Sequence, residues 1–181
     1  MKLAGTILCV FLLVFLTACN ANNEENKASS EQATVVSETE AGNFIIRLVA
    51  DNAVYKEDEN IKVEAKIKYV GEKEEIDIYY AKSPLWFQIR ETTRGVDIPY
   101  EMENTLMKTT LERNKWHKEV FQYNEKNEEE YEDDFVKAFF EKESFPKGEY
   151  EIELYSDFYT REENSEKQEH KYYTSIIIEV N

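Results

Sequence analysis

Between Phe44 and Val180 the chain is written largely in short alternating runs. Phe44, Ile46, Leu48 and Ala50 fall on one face of an extended segment, with Ile45, Arg47 and Val49 on the other. Ile61, Val63, Ala65, Ile67 and Tyr69 alternate with Lys62, Glu64, Lys66 and Lys68, the pattern of a strand with one buried and one solvated face. Gly71 supplies a turn, Glu75–Tyr80 a third strand and Leu85–Glu91 a fourth, with Pro84 preventing the two from forming one central strand. Thr92–Tyr123 is less regular, with strand pieces at Val96–Met102, Thr109–Leu111 and Lys118–Tyr123. Glu149–Phe158 and Lys171–Val180 alternate again, joined by a polar hairpin loop at Thr160–Glu169. Within the last run, Ile176-Ile177-Ile178 predicts cover on both faces. One interruption stands out. Tyr131, Phe135 and Phe139 recur at i, i+4 and i+8, which predicts a short amphipathic helix or loop insertion near 128–142. Strand alternation through Phe135, Lys137 and Phe139 is the competing reading. Seven or eight short strands without regularly interposed helices predict an all-β antiparallel sandwich over residues 43–181.

The amino terminus follows a different rule. Lys2 precedes an apolar run from Leu3, and Leu16-Thr17-Ala18-Cys19 closes it with small residues before a cysteine, the outline of a secretory signal. The uncharged stretch Leu3–Ala18 is 16 residues, short of the roughly 20 that span a bilayer core. The closing tetrapeptide resembles a bacterial lipobox. That resemblance implies that residues 1–18 are a signal peptide cleaved after Ala18, and that Cys19 is diacylated on its thiol. The chain would then be anchored by lipid to the outer face of the cytoplasmic membrane. Cys9 leaves with the signal and Cys19 carries lipid, so the mature domain has no thiol for catalysis, metal binding or a disulfide. Residues 19–42 then read as the lipidated cysteine and a flexible tether. Its 23 residues after Cys19 hold Val35-Val36 as their only bulky apolar pair, with a coil dimension of about 26 Å.

Charge narrows the partners. With 38 acidic and 22 basic residues the net charge is −16, and no Lys/Arg cluster occurs along the sequence, which argues against nucleic acid. At 41% apolar and 13% aromatic, the composition is nonetheless that of a folded domain. His117 and His170 are the only histidines, no Gly-x-Ser-x-Gly elbow is present, and five glycines form no phosphate cradle. The expectation is therefore no enzyme and no cofactor. Glu125–Asp134 holds seven acids and one lysine, among which Glu130, Asp133 and Asp134 are weak calcium candidates. A solvated helix start explains the same run, and no metal is expected. Trp86, Arg90 and Arg94 are the candidate binding residues, since arginine beside aromatic side chains is common at interface hot spots and tryptophan can stack on sugars. Alternation places Trp86, Gln88 and Arg90 on one face and Phe87, Ile89 and Glu91 on the other. Packing of Trp86 beneath the 92–123 segment is the structural alternative.

Phe145-Pro146-Lys147-Gly148-Glu149-Tyr150 makes a turn whose tyrosine can bond back across the corner, as in the tyrosine corner of immunoglobulin-like sandwiches. Together with Val54-Tyr55, Tyr69-Val70-Gly71, Ile76–Tyr80, Ser83-Pro84, Phe87, Glu91–Gly95 and Thr109–Leu111, it resembles a group of uncharacterised Gram-positive surface lipoproteins with an immunoglobulin-like domain. The resemblance covers most of residues 44–180 and implies a fold rather than a reaction. An acidic run stands where that group would have a glycine-rich stretch near Tyr123. The expected function is a lipid-anchored, non-catalytic binding module of the cell envelope whose ligand is a protein or an envelope component. The alternative is a protease-inhibitor-like or regulatory sandwich acting through an exposed loop such as 125–134.

Overall fold

The computed structural model describes residues 33–99, 105–123, 131–161 and 166–181. One sheet joins β1 (Val35–Ala41), β2 (Phe44–Ala50), β4 (Val63–Tyr69) and β9 (Trp116–Val120), in that order and antiparallel throughout. The other runs β3 (Val54–Tyr55), β11 (Gln168–Val180), β10 (Gly148–Thr160), β5 (Glu75–Ala81), β8 (Leu106–Glu112). In this second sheet β10 also pairs with β6 (Trp86–Glu91), which carries β7 (Val96–Ile98) on its far side. Among the described strand pairs, β3 on β11 alone is parallel. The result is the all-β, immunoglobulin-like sandwich that the alternation predicts, with one helix among the described residues, α1 (Asp134–Glu141).

The core follows from the period of two. Phe44, Ile46, Leu48, Val63, Ala65 and Ile67 point inward from the first sheet against Ile78, Phe87, Ile89, Ile152, Leu154, Ile176 and Ile178 from the second, all buried. Around α1 the filling changes to aromatic rings. Phe121, Tyr123, Phe139 and Phe145 meet mostly edge-on, with centroids 4.8–6.4 Å apart.

Strand β7 answers to the first part of the predicted piece Val96–Met102, whereas β1 and β3 are strands that the alternation does not predict. β1 corrects the tether, whose folded limit lies before Gly42. Its inward positions are Val35, Ser37, Thr39 and Ala41, mostly small or polar, so alternation leaves little hydrophobic trace. Their hydroxyls reach across instead: Ser37 Oγ lies 2.7 Å from Thr174 Oγ1, and Thr39 Oγ1 donates to the Tyr173 carbonyl. Within the predicted 128–142 insertion Asp134–Glu141 is a helix, which overturns the strand alternative through Phe135, Lys137 and Phe139, although Tyr131 precedes it and Val136 shares its buried face with Phe139. The last two strands run beyond Phe158 and Lys171 to Thr160 and Gln168, because Thr160 and His170 also face inward. Ile177 corrects the expectation of a strand covered on both faces, since it is 57% exposed between buried Ile176 and Ile178. Of Val96–Met102, the part beyond Pro99 lies outside the described residues.

Candidate functional site

The three predicted binding residues divide between two places. Arg94 belongs to the corner where β6 turns toward β7. There Glu91 follows the inward alternation of Phe87 and Ile89, and its carboxylate is fully buried. The backbone N–H groups of Thr93 and Arg94 donate to it at 3.2 and 2.6 Å, and the Arg94 guanidinium pairs with it at 3.3 Å. Burial pushes this carboxyl up, but the donated bonds and the guanidinium outweigh burial and hold it below the usual carboxylate range. Arg94 also donates to the Lys147 carbonyl and lies 4.6 Å from the Phe135 ring centre, so it ties the corner to α1. Across the same corner Tyr150 donates its hydroxyl to the Pro146 carbonyl, closing the predicted tyrosine corner. Gly148 is required by this packing, because an added Cβ would come within 2.7 Å of Glu91 Oε1. Arg94 therefore fastens this corner of the fold and stands apart from Trp86 and Arg90.

Trp86 and Arg90 do share a surface. Strand β6 alternates inward and outward, with Phe87, Ile89 and Glu91 buried and Gln88 and Arg90 exposed. The indole of Trp86 is half-buried, donates through Nε1 to the Ser83 carbonyl at 2.7 Å and meets Tyr155 edge-on. Arg90 pairs with Asp97 at 2.7 Å. Register then adds residues that single-strand reading does not reach. Trp86 stands opposite Tyr155 and Tyr155 opposite Tyr173, Gln88 opposite Glu153, and Arg90 opposite Glu151, which faces Ile177. A trough of about 460 Å³ opens here, walled by Trp86, Arg90, Asp97, Glu151 and Glu153. The two glutamates have no ion-pair partner among the described residues. Their outward direction is readable from the alternation of Glu149, Glu151 and Glu153 with Tyr150, Ile152 and Leu154; their position opposite Trp86 and Arg90 is not, because strand order is a long-range property.

The two histidines lie elsewhere. His170 borders a cleft of about 660 Å³ at one end of the sandwich, near Phe44, Tyr69 and Tyr172. Its nitrogens meet Thr160 Oγ1 at 2.9 Å and the Tyr172 hydroxyl at 3.0 Å, and its ring stacks on Phe158. Burial holds its pKa below the usual imidazole value. At β9, Glu119 stands between Ser83 Oγ (2.6 Å) and His117 Nε2 (3.4 Å), which places the carboxylate, not the imidazole, on the hydroxyl. That order differs from a nucleophile–histidine–acid relay. Among the calcium candidates, Asp133 is the N-cap of α1, its Oδ1 accepting from the N–H groups of Phe135 and Val136, and Asp134 opens the first turn. Glu130 and Cys19 lie outside the described residues, as does the 125–130 part of the loop proposed for protease contact. No group of three potential metal ligands is found among the described residues.

Comparison with known proteins finds no matching family model, no matching curated protein and no matching solved structure.

Proposed function

We propose that the chain is a lipid-anchored, non-catalytic binding module of the bacterial cell envelope, tethered through Cys19 and presenting the outer face of β6, β10 and β11 to a partner. The observation that carries the binding role is the trough beside Trp86, where half-buried and exposed aromatic side chains adjoin two carboxylates that have no ion-pair partner among the described residues. Aromatic residues are enriched where protein surfaces bind, since they bring large contact area at small entropic cost. The anchor reading is supported by the Leu16–Cys19 tetrapeptide.

Two measurements test the two halves. A photoreactive amino acid at Gln88, exposed in the centre of the face, is expected to crosslink a discrete partner in intact cells; the same probe at exposed Glu40 on β1 is not. Equal labelling at both positions, or none at Gln88, removes the site. Cys19→Ser is expected to release the protein into the medium, and retention on membranes removes the anchor.

A further inference from the structure

We infer that the trough receives an extended peptide segment of a partner carrying basic residues at alternate positions. This rests on the binding role given above to the face of β6, β10 and β11 and adds the chemistry of the occupant.

Three rows cross the face. Trp86, Tyr155 and Tyr173 make an aromatic row; Gln88, Glu153 and Ser175 lie next to it, then Arg90, Glu151 and Ile177. Tyr173 is 68% exposed and Ile177 57%, so the aromatic row beside Glu153 and the end of the Glu151 row both offer apolar surface to an incoming chain. Charge selects among occupants. Asp97 already pairs with Arg90 at 2.7 Å, whereas Glu151, although cross-strand from Arg90, and Glu153 make no ion pair among the described residues. A neutral glycan laid over them would strip water from two carboxylates and return only hydroxyl bonds. Lysine or arginine side chains supply the opposite charge, and the Trp86 and Tyr155 rings beside them favour cations further. Spacing then sets the form of the occupant. Glu151 and Glu153 are same-face neighbours on one strand, about 6.7 Å apart along it, which is the repeat of alternate side chains in another extended chain. The net charge of −16 draws such a segment in from a distance, while the face decides whether it fits.

The test uses the full lipidated chain in detergent, carrying Trp116→Phe so that Trp86 is the only fluorophore of its kind, since the sequence has two tryptophans. The probes are an alternating Lys-Thr octapeptide, a block isomer with its lysines contiguous, and chitotetraose. The alternating peptide is expected to shift Trp86 emission and to bind more tightly than the block isomer. Glu151→Gln/Glu153→Gln should weaken it about tenfold. Glu40→Gln/Glu57→Gln, two exposed acids outside the face, should leave it unchanged. Equal binding of the two isomers, or equal loss in both double variants, would mean attraction by net charge alone and overturns the proposal. A response to chitotetraose without one to the peptide also overturns it, while crosslinking at Gln88 still judges the site itself.

Discussion

The hydroxyl of Tyr150 and the carboxylate of Glu91 are set in the same corner by opposite logic. Tyr150 is buried and gives its one proton to Pro146, and burial raises its pKa, so the hydroxyl stays neutral and donating. Tyr150→Phe removes a donor but leaves the ring packed against Phe145, and the expected loss is about 1–2 kcal/mol in equilibrium denaturation. Glu91 is ionised because backbone donors and Arg94 reward the charge more than burial penalises it. Its folded pKa is below the unfolded value, so its contribution is fully present above about pH 4.3 and disappears as the pH falls through the folded value. Glu91→Gln is therefore expected to lower the urea midpoint at neutral pH and to flatten its decline between about pH 5 and pH 3; an acid limb as steep as the parent's would show that Glu91 is not the group responsible. The tyrosine corner was legible because the Pro-x-Gly-x-Tyr spacing is local. The contacts of Arg94 with Phe135 and the Lys147 carbonyl are not legible in the sequence, because those groups meet it only through folding.

Elements reveal themselves in sequence to the extent that their buried face is apolar. Strands β2 and β4 did so because every inward position carries an apolar side chain and outward charges separate most of them. Strand β1 did not, because serine and threonine occupy inward positions and satisfy themselves with hydroxyl and carbonyl partners across the sandwich. Helix α1 is an intermediate case: its aromatic spacing was readable, but the extent of its cover was not. Asp133 fixes where it begins, and Phe139 holds it down among Phe121, Tyr123 and Phe145. Asp133→Ala should cost about 1 kcal/mol, the usual loss of an N-cap, and Phe139→Ala about 3–5 kcal/mol, since the ring has no exposure. Chemical denaturation gives both values. The ordering distinguishes a helix held by tertiary packing from one held by its own ends.

At the scale of the molecule, the two sheets divide the surface into faces of different charge. Strand order gathers Arg47, Lys66 and Lys118 into one row on the outer side of β2, β4 and β9, beside Glu38, while the candidate trough on the other sheet holds Glu151 and Glu153. The net charge of −16 could be counted from the sequence, but this separation depends on pairing and could not. The boundary of the folded body has the same origin, and it is where fragment stability is most sensitive. A fragment of residues 43–181 begins where hydrophobic alternation begins and lacks β1; one of 33–181 retains it. Without β1, all seven paired positions of β2 lose their neighbour, so β2 becomes the sheet edge, and Thr174 loses the hydroxyl of Ser37. An unpaired regular strand with apolar residues on its buried side is also a template for association between chains. The shorter fragment is expected to melt at least 5 °C below the longer one, and to scatter light on heating where the longer refolds, because losing about 1 kcal/mol already shifts the midpoint of a domain this size by roughly 2–4 °C. Fragments that melt together would mean that β1 decorates the sandwich without supporting it, and would restore the boundary to Gly42.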